Sequence, residues 1–335
     1  MPRILVLQLK RMSDLLLTTP ALAALRQDNP DAHITLAVDT ACRELLPAFG
    51  FIDDSFVFSR KAGNRAFWQK LILSSFDICL DFTGNDRSAI CSILSKSHKR
   101  ITFQSASKSQ LRIFYNEFVV SSARENHTVD HYLHLLDPLK IKPQQTDITL
   151  NLPEWPEKKA QQLLEETHVE EPYILVHPGS TRPEKYWLPE RWVDVIDFCK
   201  TELGLPCVVT GAKETYESEH LAAIKAKTPF HDLTGRTDLL SLAALARRAH
   251  LLLSADSIAM HLGAAFQTRQ IALFGKTNPF HWRPRHEKAI VIQAGSPTAN
   301  PEFTPQARST PMSEISTQQV IDAIRISTSQ IRQAV

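Results

Sequence analysis

The sequence predicts an α/β protein of two domains, each built on a parallel sheet with helices on both faces. Two observations carry that expectation. Short, wholly apolar runs alternate with helical patterns along the chain, the rhythm of strands joined by crossover helices. That rhythm breaks once, over Lys140 to Pro156, where Pro143, Pro153 and Pro156 punctuate a mixed polar stretch that reads as an interdomain linker.

In the first half, Arg3 to Leu9 reads as a buried strand, followed by a helix from about Ser13 to Arg26 with Leu16, Leu22 and Leu25 along it. Pro20 is expected to kink or interrupt that helix. Ile34 to Val38 is the second strand, a helix follows from about Thr40, and a short strand lies near Ser55 to Phe58. Ile78 to Phe82 is the next strand, with a helix from about Asp86 and a further strand from Arg100. After a helix near Glu157 to Glu166 the second domain brings strands at 173–176, 206–210, 251–254 and 270–274. A Pro- and Ser-rich loop then leads to an amphipathic helix over about Ser316 to Arg332.

The bulk properties agree. A chain of 335 residues, 43% hydrophobic and 22% charged, suits two soluble globular domains with cores that need no metal or disulfide staple. A net charge of +2 does not mark a nucleic-acid binder. Five scattered cysteines with no CxxC point to a reduced, cytoplasmic compartment and away from zinc. The apolar runs are strand-sized, too short for a bilayer, and the first residues read as a strand, not a signal peptide.

Open α/β sheets bind ligands beyond the carboxyl ends of their strands, so the residues there are the candidates. After the first strand comes Lys10-Arg11-Met12-Ser13-Asp14, without GxGxxG. Ser13 or Asp14 either caps the following helix or, in the case of Asp14, offers a general base. After the first strand of the second domain, His177-Pro178-Gly179-Ser180-Thr181 with Arg182 and Lys185 combines backbone N–H groups, hydroxyls and positive charge. The combination suits an anionic phosphate; an ordinary polar turn before a helix starting at Pro189 is the plainer reading. Gly211 to Glu214 is a weak ribose-binding signal, and Thr237 or Asp238 reads as a helix cap. Asp256-Ser257 ends a strand where a helix carrying His261 begins, and that histidine either packs in the core or contacts a ligand.

Taken in order, these pieces resemble the ADP-heptose:lipopolysaccharide heptosyltransferases of glycosyltransferase family nine over nearly the whole chain. The resemblance rests on Ile4-Leu5-Val6 with Ser13-Asp14 and Leu17 to Leu22, on His177 to Ser180 with Lys185 and Trp187, and on Asp256-Ser257 with Met260-His261. Leu273 to Pro279 with Trp282 and Pro284 completes it. It implies a GT-B fold, two Rossmann-like domains facing a cleft: an acceptor domain over 1–150, a nucleotide-sugar domain over 151–315, and a helix over 316–335 crossing back to the first domain. It further implies an inverting, metal-independent transfer of heptose from ADP-heptose to a hydroxyl of the lipopolysaccharide core, with no cofactor. Asp14 falls on the family's base. Lys185 falls on its diphosphate lysine, Asp256 on its donor-sugar aspartate, Ser180 and Thr181 on its hydroxyls, and Glu214 on its ribose acid; Ser257 and His261 complete the donor set. Asn85 to Ser88 and His127 to Tyr132 look most like the branch adding later core heptoses.

Two positions depart from the pattern: Ser13 and Ile258 each stand where the family usually has glycine, and Ile258 bears on which sugar fits. Residues 60 to 112 carry ten Lys/Arg against three acids, a local +7. From these, Lys61, Arg65, Arg87, Lys99 and Arg100 are candidates for an anionic acceptor, and the same charge suits an anionic membrane surface; a solvated face is the plainer reading. Phe67 and Trp68, between Arg65 and Lys70, either dip into lipid or, on the plainer reading, pack in the core. The competing functions are a non-catalytic sugar-nucleotide or glycan-binding relative and a transferase using another sugar nucleotide. A nicotinamide-dependent dehydrogenase is disfavoured, because the glycine fingerprint is missing.

Overall fold

The computed structural model describes residues 1–61, 63–105, 110–213, 215–307 and 309–332. They divide into two compact units, Met1–Asn151 and Leu152 onward.

The first unit holds β1 (Arg3–Gln8), β2 (His33–Asp39), β3 (Asp54–Phe58), β4 (Ile78–Asp81), β5 (Lys99–Phe103) and β6 (Glu117–Val119). They form one parallel sheet in the order β3-β2-β1-β4-β5-β6. Its helices are α1 (Met12–Asp28), α2 (Arg65–Leu73), α3 (Asp86–Leu94) and α4 (Thr128–Leu133). The central strand β1 is apolar on both sides because helices cover both faces of the sheet. Phe67 is buried in the core under α2 and Trp68 packs against it, as on the plainer reading.

Helix α1 runs through Pro20 without interruption. The carbonyl that Pro20 leaves unbonded is that of Leu16, and the Thr19 hydroxyl donates to it at 2.8 Å. The side chain next to the proline thus supplies the missing donor. The helix expected from Thr40 is a 3₁₀ helix over Thr40–Ala48, with Pro47 inside it.

The second unit repeats the design. It holds α5 (Glu154–Glu166), β7 (Ile174–His177), α6 (Pro189–Glu202), β8 (Cys207–Val209), α7 (Thr215–Lys225), β9 (His231–Asp232) and α8 (Leu239–Arg248). There follow β10 (Leu251–Ala255), α9 (Ile258–Ala264), β11 (Gln270–Phe274), α10 (Pro279–Trp282), β12 (Ala289–Gln293) and α11 (Thr317–Arg332). The sheet order is β12-β11-β10-β7-β8-β9, again all parallel. Three strands lie outside the sequence expectation. Two of them, β6 and β9, are edge strands of three and two residues, too short to show an apolar run.

Helix α11 buries Val320, Ala323 and Ile324 in one core with Trp187, Trp192 and Val195. Just before it, the Trp187 indole donates to the Ile315 carbonyl at 2.9 Å and Arg191 donates to the Ser313 carbonyl. These contacts lie within the second unit.

Candidate active site

Strand order reverses between β7 and β10 in the second sheet, the switch point at whose carboxyl ends open α/β sheets bind their ligands. The sequence-predicted donor residues converge on that point. Ser180, just after β7, donates to the Asp256 carbonyl at 3.1 Å. Lys185, in a 3₁₀ turn over Pro183–Lys185 anchored by buried Trp187, places Nζ 2.6 Å from Asp256 Oδ2. Both partners are largely withdrawn from water, with 18% and 8% of their side chains exposed.

His261 projects from α9 into the same place and is buried. Burial pushes its pKa down to about 4; Lys185 adds to that effect and Asp256 opposes it. The imidazole is therefore neutral near pH 7. Its Nδ1 and the Ser257 hydroxyl are buried with no hydrogen-bond partner among the described residues, which marks them as polar groups not committed to holding the fold. Ser257 precedes α9 without capping it through its side chain, and Ile258 is its partly buried first residue. Thr181 is exposed, and Glu214 lies outside the described residues.

An acid that the sequence reading does not single out also reaches this end of the sheet. Glu217 is buried in the first turn of α7 and accepts from the Ala212 backbone N–H at 2.9 Å. It runs past two glycines: a Cβ at Gly179 would lie 2.0 Å from Glu217 Oε1, and one at Gly211 2.7 Å from it. The two glycines are there because the carboxylate occupies the space of their missing side chains. An acid three positions into a helix after a strand–glycine turn was the available signal. Beside it, His177 Nδ1 and Thr210 Oγ1 lie 3.0 Å apart, and burial lowers the His177 pKa to about 4.

The first sheet reverses between β1 and β4. Asp14 follows β1, third in α1, in the helix's first turn, where the N-terminal dipole favours a carboxylate. Neither Ser13 nor Asp14 caps the helix: Arg11 occupies the cap position and no side chain bonds there. Ser13 is an ordinary helical residue, so this loop has no need of glycine's conformational freedom. The Asp14 carboxylate instead accepts from the Tyr132 hydroxyl at 2.6 Å, a residue of α4. Lys10 Nζ stands 5.3 Å from the centre of the same tyrosine ring. Burial lowers the Lys10 pKa, with Asp14 and Asp81 opposing.

The five predicted acceptor cations separate into two sets. Lys61, Arg65 and Arg87 are exposed beyond the carboxyl ends of β3 and β4, the end that carries Asp14. Lys99 and Arg100 begin β5, in register with Ile78 and Cys79, at the opposite end. Lys99 pairs with Glu117 at 3.7 Å, while Arg100 donates to the carbonyls of Phe114 and Ser97. Their charge is engaged in holding strand beginnings, which the sequence could not distinguish from a binding role. Arg60 is a cation that the prediction passes over: it donates to Asp39 Oδ2 at 2.6 Å and to the Leu9 carbonyl at 3.0 Å. A pocket of about 410 Å³ opens beyond β5 and β6, with Ser105, Ser121, Glu125, Asn126 and His134 among its lining.

Comparison with known proteins gives a consistent result. A family model described as glycosyltransferase family 9 (heptosyltransferase) matches residues 64–312. Lipopolysaccharide heptosyltransferase 3 of Escherichia coli (strain K12) is 28% identical over 295 residues, covering 84% of this chain and 85% of the relative. The crystal structure of a family 9 glycosyl transferase from Veillonella parvula DSM 2008 superposes with a TM-score of 0.84 at 24% identity, covering 98% of this chain and 97% of the other. The E. coli ADP-heptose lps heptosyltransferase II gives 0.78 at 19% identity, covering 98% and 99%. At these identities the structural likeness is one of fold, the GT-B class of two parallel α/β sheets.

Proposed function

The chain belongs to glycosyltransferase family 9, and on that premise we propose that it moves a heptose from ADP-heptose to a hydroxyl of the lipopolysaccharide inner core, with inversion and without a metal. The observation that carries the donor half is the meeting of Lys185, Asp256, Ser180 and His261 at the switch point of the second sheet. The first unit supplies the base and the acceptor surface; the second holds the nucleotide sugar.

In the reaction, Asp14 accepts the proton of an acceptor hydroxyl while Tyr132 fixes one of its oxygens. The acceptor oxygen bonds to the anomeric carbon from the face opposite the leaving group. The bond from that carbon to the phosphate oxygen breaks, and ADP departs with the electron pair. Lys185 meets the growing diphosphate charge, leaving Asp256 for the hydroxyls of the sugar; fixed charges of this kind act strongly where water is excluded. Neutral His261 and the Ser257 hydroxyl offer uncommitted polar atoms to the donor. Glu217, not Glu214, is the acid assigned to the ribose hydroxyls, because it reaches the turn carrying Gly179. Ile258 is assigned to the donor pocket wall, where a branched side chain narrows the choice of sugar. Lys61, Arg65 and Arg87 face the anionic core saccharide.

No helix among the described residues is long and apolar enough to cross a membrane. On the proposed reading, the enzyme works in the cytoplasm, peripherally at the inner membrane, because its acceptor is lipid-linked.

The test is ADP release from ADP-heptose, with and without truncated core acceptor, in wild type and Asp14→Ala, repeated in EDTA. Acceptor-dependent release that collapses in the variant and survives EDTA is the expected outcome. Undiminished turnover in Asp14→Ala removes Asp14 from the role of base, and loss in EDTA removes the metal-free mechanism.

A further inference from the structure

The first unit turns an apolar surface outward on the helix layer formed by α2, α3 and the 3₁₀ turn Gln110–Phe114. Leu73 and Ile113 are 77% and 79% exposed, and Ile72, Ile90 and Ile93 are 46%, 40% and 37% exposed. Helix α2 buries Phe67 and Leu71 and leaves Ile72 and Leu73 outside. Helix α3 buries Ala89 and Cys91 and presents Arg87, Ile90 and Ile93, spaced three apart, as one outer stripe. The pieces adjoin: α3 packs against both α2 and the 3₁₀ turn, and Lys96 donates to the Ile72 carbonyl at 2.6 Å across the α2–α3 junction. An outward cluster of aliphatic side chains on one layer marks an interaction surface more strongly than the same residues scattered singly.

Charge identifies the partner. Lys70, Lys96 and Arg112 are exposed on the same elements and their flanks, bordered by Arg65 and Arg87, which are assigned above to the anionic saccharide, and none of the five is in an ion pair among the described residues. The acids there are Asp77, which accepts from the Arg3 backbone N–H, and Asp86 in the first turn of α3. Aliphatic tips surrounded by long cationic side chains suit the boundary between lipid headgroups and acyl chains, where the tips enter the apolar region and the cations reach phosphate.

We propose that this face, α2 with α3 and the turn at 110–114, docks on an anionic lipid bilayer, with Ile72, Leu73, Ile90, Ile93 and Ile113 entering it. The proposal rests on the reading of a lipid-linked acceptor and names the surface that brings the enzyme to it.

The experiment is co-sedimentation of the full chain with phosphatidylcholine vesicles, with and without phosphatidylglycerol added to give a negative surface. Wild type is compared with Leu73→Ser/Ile113→Ser, and Trp155→Ser serves as a control for an exposed apolar residue of the second unit. Binding only to the charged vesicles, weakened about tenfold or more in the double variant and unchanged in Trp155→Ser, is the expected result. Wild type that ignores charged vesicles, or a double variant that binds like wild type, overturns it. A doubling of mass in solution that the two substitutions abolish, with no vesicle binding, assigns the face to a second copy of the chain instead. ADP release on a delipidated soluble core is measured in parallel: if it is absent from wild type, the functional reading has failed, whereas its persistence in the double variant isolates the membrane step.

Discussion

Tyr132 donates its hydroxyl hydrogen to Asp14 Oδ1 across 2.6 Å, joining α4 to the first turn of α1. The tyrosine is 1% exposed and its ring meets Phe82 edge to face, so its hydroxyl is held in place by core packing. Burial, reinforced by the Asp14 charge, raises its pKa well above the ordinary phenol value, and it stays a donor throughout the working range. One carboxylate oxygen is thereby pinned, and in the proposed mechanism the other receives the acceptor's proton.

Tyr132→Phe removes only that hydroxyl. A hydrogen bond to a charged group contributes about 1.5–3 kcal/mol, so kcat should fall about 10- to 100-fold. ADP affinity should not change, because the ADP-binding residues proposed here all lie in the second unit. Steady-state kinetics beside ADP titration separates the two, and an unchanged kcat would show that Asp14 needs no such anchor.

The Lys185–Asp256 pair predicts opposite responses from its two members. Lys185→Met removes the cation offered to the diphosphate and leaves Asp256 largely buried without its partner. ADP binding should weaken by about 10- to 100-fold, the range of one or two charge-assisted bonds. Asp256→Asn frees Lys185 from its competitor, so ADP should bind as well as before or better while transfer falls. Calorimetric titration with ADP reads both, and equal weakening in the two variants would contradict the division of roles.

Gly179→Ala tests the passage of Glu217. The added methyl would overlap Glu217 Oε1 at 2.0 Å. The side chain must swing out, breaking its bond from the Ala212 N–H. ADP binding should drop at least about tenfold with a modest loss of melting temperature. Wild-type ADP affinity in this variant would mean that Glu217 does not serve the nucleotide.

These sites show where a sequence is legible and where it is not. The strands that carry Asp14, Ser180 and Asp256 are continuous apolar runs, and the residues at their carboxyl ends follow directly from the parallel-sheet rule. Chain-local patterning stops there. Tyr132 lies 118 residues from Asp14, and only the packing of α4 on α1 brings them together. Glu217 and Glu214 are three residues apart in one stretch, and only where the helix begins, at Thr215, puts Glu217 in its first turn, facing the turn at Gly179. Lys99 and Arg100 belong to the same basic run as Lys61, Arg65 and Arg87, yet they begin a strand where those follow one. Charge density alone carries no information about which end of the sheet a residue occupies.

Acid should weaken the fold through its buried histidines. Burial lowers the pKa of His131, His177, His220 and His261 to about 4 in the folded chain, against an ordinary 6.5. Between those values the unfolded chain binds protons that the native one refuses, so stability rises with pH through this window and is lost on descending it. Each such histidine contributes roughly 2 kcal/mol of that loss by pH 5. Melting temperature should therefore fall steadily from pH 6.5 to pH 5, and His177→Gln, which removes one titrating group while keeping a polar partner for Thr210, should flatten the slope. A variant that melts with the wild-type pH dependence would show that His177 is already protonated in the folded protein.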